Sequence, residues 1–315
     1  MGNRGLSRAR SRKRDEFYTF PETIERELDA HAAHLAGKTV LCPCDDPDRS
    51  AFTRVLRSRM GELGLRSVIS TCLGAAGRGR AERCDANGTS RRWELQGDGD
   101  FRSAEVGALL EAADIVITNP PFSLAREFIA RTLDAGCDLL CLANINSACT
   151  RVLFPYFAAE TLRLGGSIRS GGVPFRIPDD YPIETRRGGI AAGGTRWVEV
   201  PGVRWFTMLP VPPRTGLAHG DGSAVTHRLD WFPEVGEVSS CRDIPERFDG
   251  MLAVPITYLD RMEPERYHIV DLINRYTVMD ALGRNDAIRA AHGHGLAVGG
   301  KPIYARIIIE CMESW

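Results

Sequence analysis

No stretch of this sequence approaches the roughly 18 consecutive apolar residues that a membrane-spanning helix needs, so no membrane partner is expected. Net charge is nearly absent as well: 40 Lys and Arg stand against 41 Asp and Glu, a formal −1. The average therefore argues for no polyanionic partner, and only the distribution of charge can. There is no CxxC pair among the nine cysteines, and Cys42 and Cys44 stand one residue apart, a poor spacing for zinc. Cys141 sits inside an apolar run. The thiols read as free and buried, in a reducing compartment. His292 and His294 have no third ligand nearby and read as solvated loop residues, so no metal is expected. The N-terminal segment has no apolar run behind its positive charge; a secretory signal is not expected, and the cytoplasm is the expected location.

What is present is enough for a large core: 315 residues, 43% of them hydrophobic. Residues 1–14 carry Arg4, Arg8, Arg10, Arg12, Lys13 and Arg14 with no acid. They read as a basic, disordered tail or as a strip lying along phosphates. Beyond them, apolar runs alternate with helical patterns. Residues 22–35 predict a helix ended by Gly37, and 38–42 a buried strand. A helix capped by Asp46 or Asp48 is expected to reach about Leu63, and 66–72 is a second strand. Residues 74–91 show no period and are expected as an exposed loop, with a short strand at 93–96. A helix capped by Ser103, the strand 114–118, a helix over 123–134 and the strand 138–143 follow. Strands written as continuous apolar runs between helices predict an α/β fold with a parallel sheet covered on both faces. After about residue 165 glycine and proline increase, with strand candidates at 202–210, 252–259 and 302–310. The expected organisation is a catalytic domain over 15–210 and a smaller, irregular C-terminal lobe over 211–315.

The segment DIVITNPPF, residues 114–122, carries chemistry. It places an amide, two prolines and an aromatic at the carboxyl end of a buried strand, the edge where open α/β sheets bind ligands. An aromatic amine is a weak nucleophile because its lone pair is delocalised. Two acceptors at its hydrogens, the Asn119 side-chain oxygen and the Pro120 carbonyl, draw it toward tetrahedral geometry and aim the lone pair at a donor. Pro120 and Pro121 fix the backbone for this, and Phe122 stacks on the ring, a contact worth about 1–3 kcal/mol. The bland alternative is an Asn-Pro-Pro turn between a strand and a helix.

DIVITNPPF resembles the fourth motif of amino-methyltransferases. RDEFYTFPETIERE (14–27), GKTVLCPCDDPDRSAF (37–52), GDGDFRS (97–103), VRWFTMLP (203–210), RFDGMLAVPITYLD (247–260) and YARIIIE (304–310) resemble, in this order, the EcoRI-type adenine-specific DNA methyltransferase family. The resemblance implies a Rossmann-like methyltransferase sheet and S-adenosylmethionine as cofactor. It implies site-specific action on double-stranded DNA, at the amino group of a flipped-out adenine, with a cognate restriction endonuclease acting separately as a possible partner. By the same resemblance Phe17, Tyr18 and Thr19 touch the methionine end of the cofactor, and Asp45 and Asp46 lie on the first cofactor loop. That loop has no glycine between 38 and 60, a departure from most methyltransferases. Asp100, with Asp98 as a competitor, and Phe101 meet the cofactor adenine, and Trp205 and Phe206 hold the other face of the target base. Duplex grip is expected from Arg163, Arg169, Arg176, Arg186, Arg187 and Arg196, unranked. Two alternatives stay open: an RNA or protein amino-methyltransferase of the same fold, and an inactive DNA-binding relative.

Overall fold

The computed structural model describes residues 17–74, 77–183, 186–212, 217–274, 277–283, 285–286 and 296–312. The basic segment 1–14 and the pair His292 and His294 lie outside the described residues. Two compact units emerge, Met1–Asn144 with Leu164–Val211 and Ile145–Arg163 with Pro212–Trp315.

The first unit contains, in chain order, β1 (Tyr18–Thr19), β2 (Thr39–Cys42), β3 (Ser67–Cys72), β4 (Arg80–Asp85), β5 (Ser90–Glu94), β6 (Ile115–Thr118), β7 (Asp138–Asn144), the edge strand β8 (Arg163–Leu164) where the chain passes between units, β9 (Gly172–Arg176), β10 (Gly188–Ile190), β11 (Arg196–Pro201) and β12 (Val203–Thr207). Its helices are α1 (Pro21–His31), α2 (Ala51–Ser58), α3 (Ala104–Glu111) and α4 (Ala125–Asp134). The large sheet runs in the order β5-β4-β3-β2-β6-β7-β12-β8. Its centre, β3-β2-β6-β7, is parallel, and β4, β5 and β12 join antiparallel. The fold is therefore mixed α/β.

Every residue of β2, β3 and β6 is buried, as a central strand covered on both faces requires. Val40, Val68, Ile115, Ile117, Leu140 and Leu142 pack with Ile24 and Leu28 of α1 and Phe52, Val55 and Leu56 of α2. The alternate residues Leu41, Val116, Leu139 and Cys141 are equally buried and serve the opposite face. A second sheet, β1-β9-β11-β10, is antiparallel throughout.

Two expectations are corrected. Residues 74–91 are not a plain loop: β4 and β5 form a hairpin. Its turn is set by Asn87-Gly88, with Gly88 at φ +86° and the Asp85 amide bonded to the Thr89 carbonyl at 2.9 Å, the chemistry a tight hairpin favours. Glu82, 2% exposed, is held by Arg57 (2.9 Å), Ser90 (2.8 Å) and Arg92 (3.1 Å). Nor does Asp46 or Asp48 cap α2. Ser50 does, accepting from the Phe52 amide at 3.0 Å, and the helix stops at Ser58.

The second unit holds α5 (Phe154–Ala158) and the strands β13 (His227–Leu229), β14 (Phe232–Glu237), β15 (Met251–Pro255), β16 (Tyr267–Ile273), β17 (Ala297–Val298), β18 (Lys301–Pro302) and β19 (Arg306–Cys311). Five of them make a sheet, β13-β14-β15-β19-β16, around Leu229, Phe232, Val235, Ala253, Ile273 and Ile308. Between the two expected strands of this region the chain forms β16, which pairs along β19. Asp271, fully buried, accepts from the amides of Leu272, Val278, Met279 and Ala281 and ties the following loop to this strand.

Candidate active site

A cleft of about 1020 Å³ opens in the first unit. Segments that follow β2, β3 and β6 form its floor: Pro43–Asp46, Cys72 and Leu73, and Asn119–Phe122. Gly99–Phe101, β1 and the end of β9 complete the walls. This is the carboxyl edge of the parallel strands, where strand ends splay from their helices and leave backbone free for ligands.

β6 ends at Thr118 because Pro120 and Pro121 cannot continue a sheet ladder. The chain then turns, and the Leu124 amide bonds back to the Pro121 carbonyl at 2.9 Å just before α4. Asn119 is fixed by its own side chain: Nδ2 donates to the Phe17 carbonyl at 2.7 Å. That bond leaves Oδ1 buried in the cleft wall with no hydrogen-bond partner among the described residues. An unsatisfied buried acceptor costs about 1–3 kcal/mol, so its presence here calls for an incoming donor. Thr19 Oγ1 is a second buried polar atom on the cleft without a partner.

Phe122 is half-buried beside this acceptor. Phe17 stacks on it at 5.6 Å with a 24° interplanar angle, and Phe175 meets it edge-on at 5.6 Å. Tyr181 closes on Phe17 at 5.7 Å. The structure thus brings Asn119, Pro120, Pro121, Phe122, Phe17, Tyr18 and Thr19 to one cleft, and it adds Phe175 and Tyr181 to the aromatic cluster behind it.

Asp45, Asp46, Asp100 and Phe101 line the same cleft. Asp46 pairs with Arg80 at 2.7 Å. Asp100 is gripped by Arg102 at 2.8 and 2.5 Å, which holds its carboxyl below the usual range. Asp98 instead accepts from the Asp100 amide at 3.0 Å, shaping the turn. Phe101 packs edge-on against Phe128 at 5.1 Å. The Cys44 thiol faces the cleft, but burial pushes its pKa well above the ordinary value, so it is no nucleophile.

Glycine, missing from the loop after β2, serves the cleft elsewhere. At Gly79 an added Cβ would fall 2.5 Å from the Gly99 Cα, and Gly99 itself sits at φ +87°. Only glycine permits that crossing of two backbones under the cleft wall. GDGD in the sequence was the signal for it.

Trp205 and Phe206 are not brought to this cleft. Both are fully buried on β12, a strand between β7 and β8; Trp205 packs edge-on against Phe52 at 6.0 Å. Of the six arginines considered for duplex grip, Arg176 alone lines the cleft. Arg187 pairs with Glu199 (3.3 Å), Arg163 with Glu160 (3.8 Å), Arg196 donates to the Tyr181 carbonyl (2.8 Å), Arg169 donates to the Gly166 carbonyl (2.8 Å), and Arg186 is exposed. No cluster of His, Cys, Asp or Glu suited to a metal occurs among the described residues. No helix among them is long and apolar enough to cross a membrane.

A buried amide oxygen without a partner among the described residues, beside an aromatic ring, suits the hydrogens of a planar amine. Sequence relatives identify the family. The profile described as "Adenine-specific methyltransferase EcoRI" matches residues 5–92 and 80–311, and the chain belongs to that family. The Type II methyltransferase M.MpnI of Mycoplasma pneumoniae is 30% identical, over 98% of this chain and 98% of its own. M.EcoRI of Escherichia coli is 29% identical over 98% of this chain and 96% of its own. No solved structure matches significantly. The chain is an adenine-specific DNA methyltransferase.

Proposed function

We propose that this chain moves a methyl group from S-adenosylmethionine to the exocyclic amine of an adenine extruded from duplex DNA, at a specific site. The observation that carries this reading is the buried, unpartnered Asn119 Oδ1 beside Phe122. Asn119 Oδ1 accepts one amine hydrogen and the Pro120 carbonyl the other, while Phe122 supports the ring. Pre-set acceptors of this kind lower the barrier by positioning and electrostatics. When bound, S-adenosylmethionine would supply a methyl on a sulfonium: the N–C bond forms as the C–S bond breaks, the neutral thioether leaves, and the amine's surplus proton passes to water, so no strong base is required.

The cleft suits that cofactor in three respects: its volume, the Asp46 carboxylate after β2 for a cationic ligand, and the Thr19 hydroxyl left without a partner among the described residues. Asp46 would hold the cofactor's ammonium or ribose, Asp100 its adenine amine, Phe101 its ring, and Phe17, Tyr18 and Thr19 its methionine end. β3-β2-β6-β7, with helices on both faces, reads as a Rossmann-like methyltransferase sheet.

A paired adenine cannot reach this cleft, so the base is flipped out at a cost of a few kcal/mol. Arg49, Arg54 and Arg176 line the cleft and are exposed, and their guanidinium groups have no hydrogen-bond or ion-pair partner among the described residues. Arg176 pairs across strands with Tyr18 and follows Phe175, which contacts Phe122; it therefore stands at the mouth of the base pocket. It takes a phosphate flanking the extruded nucleotide. Arg176→Gln lowers the slope of log affinity against log salt for DNA by about 0.9, similarly across sequences. An unchanged slope in a fluorescence-anisotropy salt series removes this contact. A separate cognate restriction endonuclease, in the same cytoplasm, is the partner such an activity implies.

Tritiated S-adenosylmethionine offered with DNA, RNA or protein tests the reading. Label enters DNA adenine alone if it holds. Label in RNA or protein selects the other amino-methyltransferases, and no calorimetric binding at millimolar cofactor selects the inactive relative.

A further inference from the structure

Asp45 behaves unlike the other acids at the end of β2. Asp46 and Asp48 both pair with arginine, whereas Asp45 is 6% exposed and no cation pairs with it among the described residues. Its two oxygens are taken by hydroxyls instead. Ser50 Oγ donates to Oδ1 at 2.5 Å, and Thr118 Oγ1 donates to Oδ2 at 2.5 Å. Ser50 in turn accepts from the Phe52 amide at 3.0 Å, starting α2, and Thr118 is the last residue of β6. One chain of bonds therefore runs from the start of α2, through the loop after β2, to the residue immediately before Asn119. Asn119 is held from its other side by its bond to the Phe17 carbonyl.

We propose that Asp45 is a positioning residue for the transfer step, its carboxylate clamping Ser50 and Thr118 together so that Asn119 presents its acceptor oxygen to the amine. This rests on the reading of Asn119 given above. The clamp needs an ionised carboxylate. Ser50 and Thr118 both spend their protons on Asp45, so Asp45 must accept twice. A protonated acid accepts on one oxygen and donates from the other, and an amide does the same; one hydroxyl must then turn round to accept, and a charge-assisted bond becomes a weaker neutral one, so either slackens one arm. Asp45→Asn therefore copies the protonated state at every pH.

Facing Asp45 are the hydroxyls of Ser50 and Thr118, the Thr71 carbonyl, which accepts the Asp45 amide at 3.0 Å, and the Cys42 and Cys44 thiols, which burial and this same carboxylate keep neutral. With nothing positive to offset it, burial pushes the Asp45 carboxyl up to about 6. The clamp has its full charge-assisted strength above that pH and slackens as pH falls through it. A folded-state value above that of the unfolded chain means that protonation relieves the cost of burial. On this group's account the fold gains, rather than weakens, between about pH 6 and 4. Loss of turnover in that window is therefore distinct from unfolding.

The test measures kcat and KM for the cofactor between pH 5 and 8 on the full chain and its Asp45→Asn, Thr118→Val and Thr118→Ser variants, with thermal melts alongside. Wild type shows an acid limb near pH 6 in kcat while its melting temperature does not fall. Asp45→Asn and Thr118→Val lower kcat at pH 8 by about tenfold, the scale of one charge-assisted hydrogen bond, with KM within about twofold. Asp45→Asn loses the acid limb, and Thr118→Ser restores kcat. Wild-type kcat in Asp45→Asn, a retained limb, or raised KM with normal kcat overturns the clamp. If Asp45→Asn does not fold, the two Thr118 variants decide through kcat alone. Asn119→Ala run in parallel separates the failures: turnover there overturns the acceptor reading, whereas its loss beside normal Asp45 and Thr118 variants overturns only the clamp.

Discussion

Asn119→Ala is expected to lower kcat by roughly 10²–10³-fold while the cofactor dissociation constant stays within about twofold, the range seen when one pre-set polar group at a reacting centre is removed. The split follows from where the atoms lie. Nδ2 donates one hydrogen to the Phe17 carbonyl, which fixes the amide's orientation, so Oδ1 is the acceptor free to meet an amine. Alanine removes that acceptor together with the bond that ties residue 119 to Phe17, the residue just before β1. Asn119→Asp is the sharper companion. It keeps an acceptor but loses the donor to Phe17, and a carboxylate beside a carbonyl turns away. Rapid-quench single turnover with saturating cofactor reads the chemical step directly. Turnover near the wild-type rate moves the acceptor role to another group of the cleft.

Trp205→Ala is expected to cost the fold about 3–5 kcal/mol, as for other large buried aromatics cut to alanine. At this chain length that is a fall of roughly 10 °C in melting temperature. Trp205 has no exposed surface, packs on Phe52 and belongs to the cluster that joins α1 and α2 to the large sheet. Its Nε1 is buried without a partner, so Trp205→Phe removes an unsatisfied donor and is tolerated far better than alanine. Differential scanning calorimetry checks both. A melting temperature unchanged by alanine, with base binding lost, returns Trp205 to the DNA side of the cleft.

The parallel centre of the sheet was legible because its strands are buried on both faces and so carry no charge in their interiors and no alternation of apolar and charged residues: TVLC, SVISTC, IVIT and DLLCLAN. The site was legible for a related reason. Two prolines after IVIT can only end the strand, and the residues beside them must then face the ligand edge. Less could be read where stability is non-local. β4 and β5 form around Glu82, whose partners include Arg57, 25 positions away, and no window of residues 74–91 contains that partner. β9 and β11 pair across a loop and carry Pro174 and Pro201 within them, which hides their alternation. Trp205 and Phe206 read alike as stacking aromatics because their sequence does not reveal that β12 has neighbours on both sides. For Asp45 and Asp46 residue type gave no ranking either. Arg80 and Thr118, both distant in the chain, make one a surface ion pair and the other a buried clamp.

Most direct of all is a structure of the chain with a cofactor analogue and duplex DNA bearing its target adenine. The account predicts the adenine out of the helix, with its amine about 2.7–3.2 Å from Asn119 Oδ1 and from the Pro120 carbonyl and its ring against Phe122. An adenine still stacked in the duplex, or held in any other cleft, contradicts it.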